Sequence, residues 1–181
     1  GANGAGEPDF FNVTFTGHYA RSLGGAVFNS GESGSAHMEV YNGIFWNNQD
    51  SSGSDTISST LYNTSATAKF WHSLVQGAGS SGSGAWVSDP NFMDGGNNID
   101  QDPAFVTPVD PASAPRIGGN LRLQSVSPAV DAGLNLIVAG LTDDLDGELR
   151  FVDGDMDGSK TVDMGAYEKQ NPISFLPIVT H

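Results

Sequence analysis

The chain has 181 residues, enough for one repeat domain with a terminal segment, and its 21 acidic against 7 basic residues set a formal charge of −14. A surface of that sign repels nucleic acid and anionic membranes and favours cations as small partners. Cysteine is absent, which excludes disulfides, thiolate metal sites and a cysteine nucleophile. No run approaches the ~20 apolar residues that span a bilayer.

The chain opens on Gly1, Ala2 and Asn3 without a Met, and residues 1–8 read as a turn. That start reads as the C-terminal part of a longer protein. Three segments then superimpose at one constant spacing, beginning at Asp9, Glu39 and Lys69. One column holds Phe11, Tyr41 and Trp71; another holds Phe15, Phe45 and Val75; a third holds Val27, Ile57 and Val87. A fixed period with short apolar runs and glycine-rich turns marks a stacked solenoid, and without helical periodicity its units are strands. The expected fold is all-β: a single-stranded right-handed parallel β-helix of about three to four 30-residue rungs. Equivalent side chains then pile up at roughly 4.8 Å, and the three columns are expected to face mostly inward. Rungs are expected over residues 9–38, 39–68 and 69–99, with corners at residues 30–35, 50–55 and 77–82. Phe105 falls one further period after Val75 and offers a fourth, partial rung.

The column of Asn12, Asn42 and His72 reads as a polar rung corner, where stacked side chains hydrogen-bond along the column. Asp9, Glu39 and Lys69 read as a charge ladder, and Trp46 and Trp86 as core fillers or sugar-stacking rings. The repeat is lost from about Thr107, where prolines increase. The division is therefore β-helix rungs over 1–106, a C-terminal cap with acidic loops over 107–171, and a tail over 172–181. A differently patterned segment is what an open solenoid end needs to cover its backbone and core.

The strongest chemical signal is Asp153-Gly154-Asp155-Met156-Asp157-Gly158-Ser159. Acidic residues at alternate positions before a glycine resemble the first half of a calcium loop. Asp153, Asp155 and Asp157 would supply carboxylates, Ser159 a carbonyl, and Asp163 would close the shell, although Met164 stands where such a loop ends in Glu. The alternative is a solvated acidic turn. Asp143, Asp144 and Asp146 form a second cluster, read as a turn with Arg150 near enough in sequence to pair with one of them, and Asp131 reads as structural.

Gly24-Gly25-Ala26-Val27 and Phe45-Trp46-Asn47-Asn48 resemble the repeats of polymorphic outer-membrane-type proteins. Further motifs follow in order: Asn97 to Val106, Leu121-Arg122-Leu123, Ser127 to Gly133, Asp144-Leu145-Asp146-Gly147 and Val162 to Glu168. Together they resemble the choice-of-anchor Q, right-handed parallel β-helix repeat proteins of bacterial surfaces. The resemblance implies an exported, secreted or cell-surface protein and no defined reaction. Function then lies among an adhesion-like surface module that meets carbohydrate or other surface ligands, a structural spacer, and a fragment of a pectate-lyase-like carbohydrate-active enzyme. Residues 9–99 contain only Arg21 and Lys69 as cations to stabilise a lyase's developing negative charge, and Asp9 with Glu39 is their only stacked carboxylate pair. The expectation is therefore a non-enzymatic module with no catalytic residues, with calcium as its candidate cofactor.

Overall fold

The computed structural model describes residues 6–31, 36–138 and 140–171. The chain start, part of the corner at 30–35 and the tail at 172–181 lie outside the described residues. The regular structure is mostly strand, arranged in five small sheets, three of them parallel.

The largest sheet is four-stranded and parallel. It orders β1 (Asp9–Phe11), β4 (Ala36–Tyr41), β9 (Ala66–Trp71) and β11 (Phe92–Gly96) side by side. Register follows the repeat: Asp9 pairs with Glu39 and Glu39 with Lys69, Phe11 with Tyr41 and Tyr41 with Trp71. A second parallel sheet joins β2 (Thr14–Thr16), β5 (Ile44–Trp46) and β10 (Leu74–Val75), with Phe15 on Phe45 and Phe45 on Val75. In a third, β3 (Val27–Ser30) pairs with β8 (Leu61–Thr64).

These three sheets enclose one core. Met38, Val40, Ala68, Phe70 and Phe92 enter it from the first sheet, Phe45 and Val75 from the second and Leu61 from the third. Aromatic rings fill it in contact: Phe45 stacks on Phe15 at 4.8 Å and meets Phe70 edge-on at 5.4 Å, and Phe70 stacks on Phe92 at 4.7 Å.

Two of the three columns depart from expectation. Phe11, Tyr41 and Trp71 face outward, because strand alternation gives the inward positions to Phe10, Val40 and Phe70. The outer rings still stack, at 5.4 Å and 9° and then 6.1 Å and 5°, so a recurrent large residue here records stacking along the column, not burial. In the third column Val27 pairs with Leu61, not Ile57, which sits in the short helix α1 (Ile57–Thr60). Between the second and third sheets, the path from Trp46 to Leu61 is longer than the equivalent path from Thr16 to Val27. The hairpin of β6 (Gln49–Asp50) and β7 (Gly53–Ser54) and helix α1 occupy that longer path. Returning to the first sheet, the path from Leu61 to Ala66 is shorter than that from Val27 to Ala36 by the same amount, so the insertion and deletion cancel.

The third repeat is shorter. Met93 pairs with Lys69, a smaller step along the chain than the one from Glu39 to Lys69, and Ile99 bridges to Leu74. Phe105 does not start a fourth repeat: β12 (Phe105–Thr107) turns antiparallel against β13 (Asn120–Leu123).

Strand β5 is buried on both sides. Phe45 points into the first core, while Ile44 joins Leu74, Phe105, Leu123, Ala129 and Met164 in a second. The segment from Phe105 to Glu168 thus packs against the outer face of the second sheet. Trp46 packs on this second core, and Trp86 on the first with its indole N–H donating to the Phe92 carbonyl at 3.0 Å, so both rings serve packing.

Candidate functional site

The acidic loops are positioned by the polar corner that the repeat creates. Asn12, Asn42, His72 and Asn97 all hold left-handed backbone, at φ of 49°, 55°, 45° and 56°, where asparagine carries less strain than most residues. Asn42 Nδ2 donates to Asn12 Oδ1 at 3.3 Å and Asn97 Nδ2 to His72 Nε2 at 3.0 Å. His72 therefore accepts at Nε2 and donates from Nδ1 to the Ala132 carbonyl at 3.2 Å. Asn42 clamps Leu134 from both sides, accepting its N–H at 2.7 Å and donating to its carbonyl at 3.3 Å. Asn12 donates to the Asp163 carbonyl at 3.2 Å.

Two close approaches in this region need glycine. A Cβ at Gly133 would stand 2.7 Å from the Val162 carbonyl oxygen, and one at Gly165, where φ is +94°, 2.7 Å from Ile44 Cδ1. The segments around Ala132 and Asp163 are thereby pressed onto the asparagine corner and onto each other.

This docking brings Asp131 to the acidic loop. Asp131, Asp153 and Asp155 each offer an oxygen, all within 4.8 Å of one another. Asp131 Oδ2 accepts the Asp155 N–H at 2.7 Å, and its Oδ1 is buried with no hydrogen-bond partner among the described residues. Burial pushes the Asp131 carboxyl up, opposed by the N–H groups of Asp155 and Gly154 and reinforced by the charge on Asp155.

Of the residues singled out by spacing, Asp153 and Asp155 belong to this trio. Asp153 takes the N–H groups of Asp157 and Gly158 at 3.0 Å each, and Asp155 also takes the Asp157 N–H at 3.0 Å. Asp157 lies outside the trio and accepts from the Ser159 N–H at 2.7 Å. Asp163 is directed elsewhere: fully buried, it accepts the Asp131 N–H at 2.8 Å and the Lys169 N–H at 2.6 Å. Asp131 carries no spacing signal, since it stands far from Asp153 in sequence; only its place in the docked segment makes it a candidate.

Next to Asp163, Glu168 and Arg150 meet as a buried pair. Glu168 Oε1 accepts the Asp163 N–H at 3.0 Å, while Oε2 lies 3.5 Å from Arg150 Nη1 without an aligned hydrogen bond. Burial raises Asp163 to about 7 and Glu168 to about 9, the second also through the charge on Asp163. Arg150 therefore pairs with Glu168, not with the aspartates nearest in sequence, which it meets through the Asp143 carbonyl. Arg122 takes Asp146 instead, through two guanidinium hydrogen bonds. Asp144 accepts N–H groups from Asp146, Glu148 and Glu168, as a turn-forming aspartate does.

No family model, no curated protein and no solved structure matches the chain.

On the outer face of the first sheet, the Tyr41 hydroxyl donates to Glu39 Oε2, and this bond holds the Glu39 carboxyl below its ordinary value. Lys69 lies 4.1 Å over the Trp71 ring rather than on a carboxylate. Among the described residues, no helix is long and apolar enough to cross a membrane.

Proposed function

We propose that the chain is a non-enzymatic β-helix module of a secreted or cell-surface protein, of the choice-of-anchor Q type, whose residues 107–171 form a calcium-held cap. The β-helix reading is supported by the parallel register kept at one period by the first three strands of the first sheet and by the second sheet, around one shared core. Turning single strands through three sheets and returning one repeat on is what a single-stranded β-helix requires.

The calcium reading is carried by one observation: three carboxylates converge and the buried Asp131 Oδ1 has no partner among the described residues. Calcium takes six to eight oxygen ligands at about 2.3–2.6 Å, and an all-carboxylate donor set suits a hard cation. Asp131, Asp153 and Asp155 would hold it, with main-chain carbonyls and water completing the shell. The cation would offset the repulsion of the trio and tie the Asp131 segment to the loop.

A chelator is expected to lower the melting temperature, since a ligand bound only to the folded state adds about 2.7 kcal/mol at a hundredfold excess over Kd. Asp155→Ala and Asp131→Asn should both remove that sensitivity. A melting curve indifferent to chelator and to added calcium would reduce the loop to an ordinary acidic turn.

The lyase or hydrolase alternative is disfavoured by the chemistry of its candidate carboxylates. Glu39 is held ionised by Tyr41, whereas a general acid needs a raised pKa. Asp163 and Glu168 have raised values but are buried. The chain is expected to leave polygalacturonate, alginate and neutral β-glucans uncut. Product formation that is lost in Glu39→Gln would instead make it an enzyme.

A further inference from the structure

A cleft of about 820 Å³ opens between β2 with its following turn and the loop that joins β12 to β13. Its floor is tight: a Cβ at Gly17, where φ is +70°, would come within 2.5 Å of Val109 Cγ1. In a chain where acidic residues outnumber basic ones three to one, the lining contains Arg21, Arg116 and His18 and no carboxylate. Local charge is thus opposite to that of the whole surface, and a concave lining of one sign concentrates its counter-ion.

The cationic groups in the cleft are unspent. Among the described residues neither Arg21 nor Arg116 makes a salt bridge, whereas Arg122 lies on Asp146 and Arg150 on Glu168. The His18 ring is fixed by Asn48. Asn48 Nδ2 donates to the Phe15 carbonyl at 2.9 Å, which leaves Oδ1 toward His18. His18 Nδ1 then donates to it at 3.1 Å, and Nε2 has no hydrogen-bond partner among the described residues. Tyr19 and Ile117, both exposed, add an aromatic ring and an aliphatic face.

We infer that this cleft binds an acidic saccharide. A guanidinium fork matches a planar carboxylate in two parallel hydrogen bonds, which a point charge does not. The His18 nitrogen suits a sugar hydroxyl, and the exposed Tyr19 ring suits the apolar face of a pyranose. The volume falls in the range of about 300–1,000 Å³ typical of small-ligand sites. The carboxylate sits on Arg21 and Arg116, and the ring lies toward Tyr19. This goes beyond the calcium-held module and does not depend on it, because the cleft and the aspartate trio share no residue.

The test is titration calorimetry on the full chain with trigalacturonate, its methyl ester and inorganic phosphate, with chelator present throughout so that metal does not enter. Trigalacturonate should bind saturably, and the ester, which keeps the sugar but loses the charge, at least about tenfold more weakly. Arg21→Met and Arg116→Met, exposed changes that keep the aliphatic stem, should each weaken binding about tenfold, with Arg122→Met unchanged. Absence of saturable binding at millimolar trigalacturonate overturns the inference. So does an ester or a phosphate ion that binds as well as trigalacturonate, or an Arg122→Met variant as impaired as the cleft variants.

Discussion

Phe45→Ala is expected to destabilise the protein by about 3–5 kcal/mol, the range for removing a buried phenylalanine. Phe45 has no exposed surface and sits where two sheets meet, stacked on Phe15 and edge-on to Phe70. Its neighbours Val40 and Val75 lie on strands whose ladders hold them in register. The walls are therefore poorly able to collapse into the vacated space, which places the cost toward the upper end of that range. Phe11→Ala is the internal comparison. Phe11 stacks on Tyr41 from the outer face and is 38% exposed, so its removal should cost about 1 kcal/mol or less. Urea midpoints of the two variants decide the matter. Equal losses would mean that the aromatic column on the outer face contributes as much as the enclosed core, and the division between them would be wrong.

What was legible in the sequence follows from what repeats. The first three strands of the first sheet and the strands of the second keep one constant period, so Asp9, Glu39 and Lys69 pair as their spacing implies. The corner was legible as well, because Asn12, Asn42 and His72 must all adopt left-handed backbone. The third sheet was hidden by two length changes that cancel, which keeps the overall period while moving Leu61 into the place expected for Ile57. The direction of the aromatic column is not legible from residue size, which does not distinguish stacking outside from packing inside; alternation with Phe10, Val40 and Phe70 does. In the acidic site, local spacing found Asp153 and Asp155. It missed Asp131, which arrives through long-range docking on Asn42 and His72. Nearness in sequence likewise offers Arg150 the carboxylates of Asp143, Asp144 and Asp146, while the fold places it beside Glu168. The cleft of Arg21 and Arg116 was invisible to a composition dominated by acidic residues, since the two lie on segments remote in sequence that only the fold brings to one lining.

The stability of the protein is expected to fall as pH rises from 7 to 9, and Glu168→Gln should flatten that slope. Glu168 has an ordinary value of 4.5 that burial raises to about 9 in the folded state. The folded state thus holds the proton more tightly than the unfolded chain. Its contribution is complete below about pH 4.5 and is lost as pH rises through about 9. Asp163, raised from 3.8 to about 7, adds a loss in the same direction at lower pH. Above pH 7 the exposed carboxylates are already ionised in both states and Asp163 is completing its titration, so most of the slope in this window belongs to Glu168. One proton can change stability by at most about 1.4 kcal/mol per pH unit, so the two-unit rise should cost on the order of 2 kcal/mol. For a chain of this size that is a fall of about 4–8 °C in melting temperature. Gln keeps the oxygen that accepts the Asp163 N–H and removes the ionisable group beside Arg150. Melting curves of both proteins at pH 7, 8 and 9, with chelator held constant, provide the comparison. A wild-type profile that is flat or rising across this window would show Glu168 to be ionised opposite Arg150 at neutral pH, and the buried pair to be a true salt bridge.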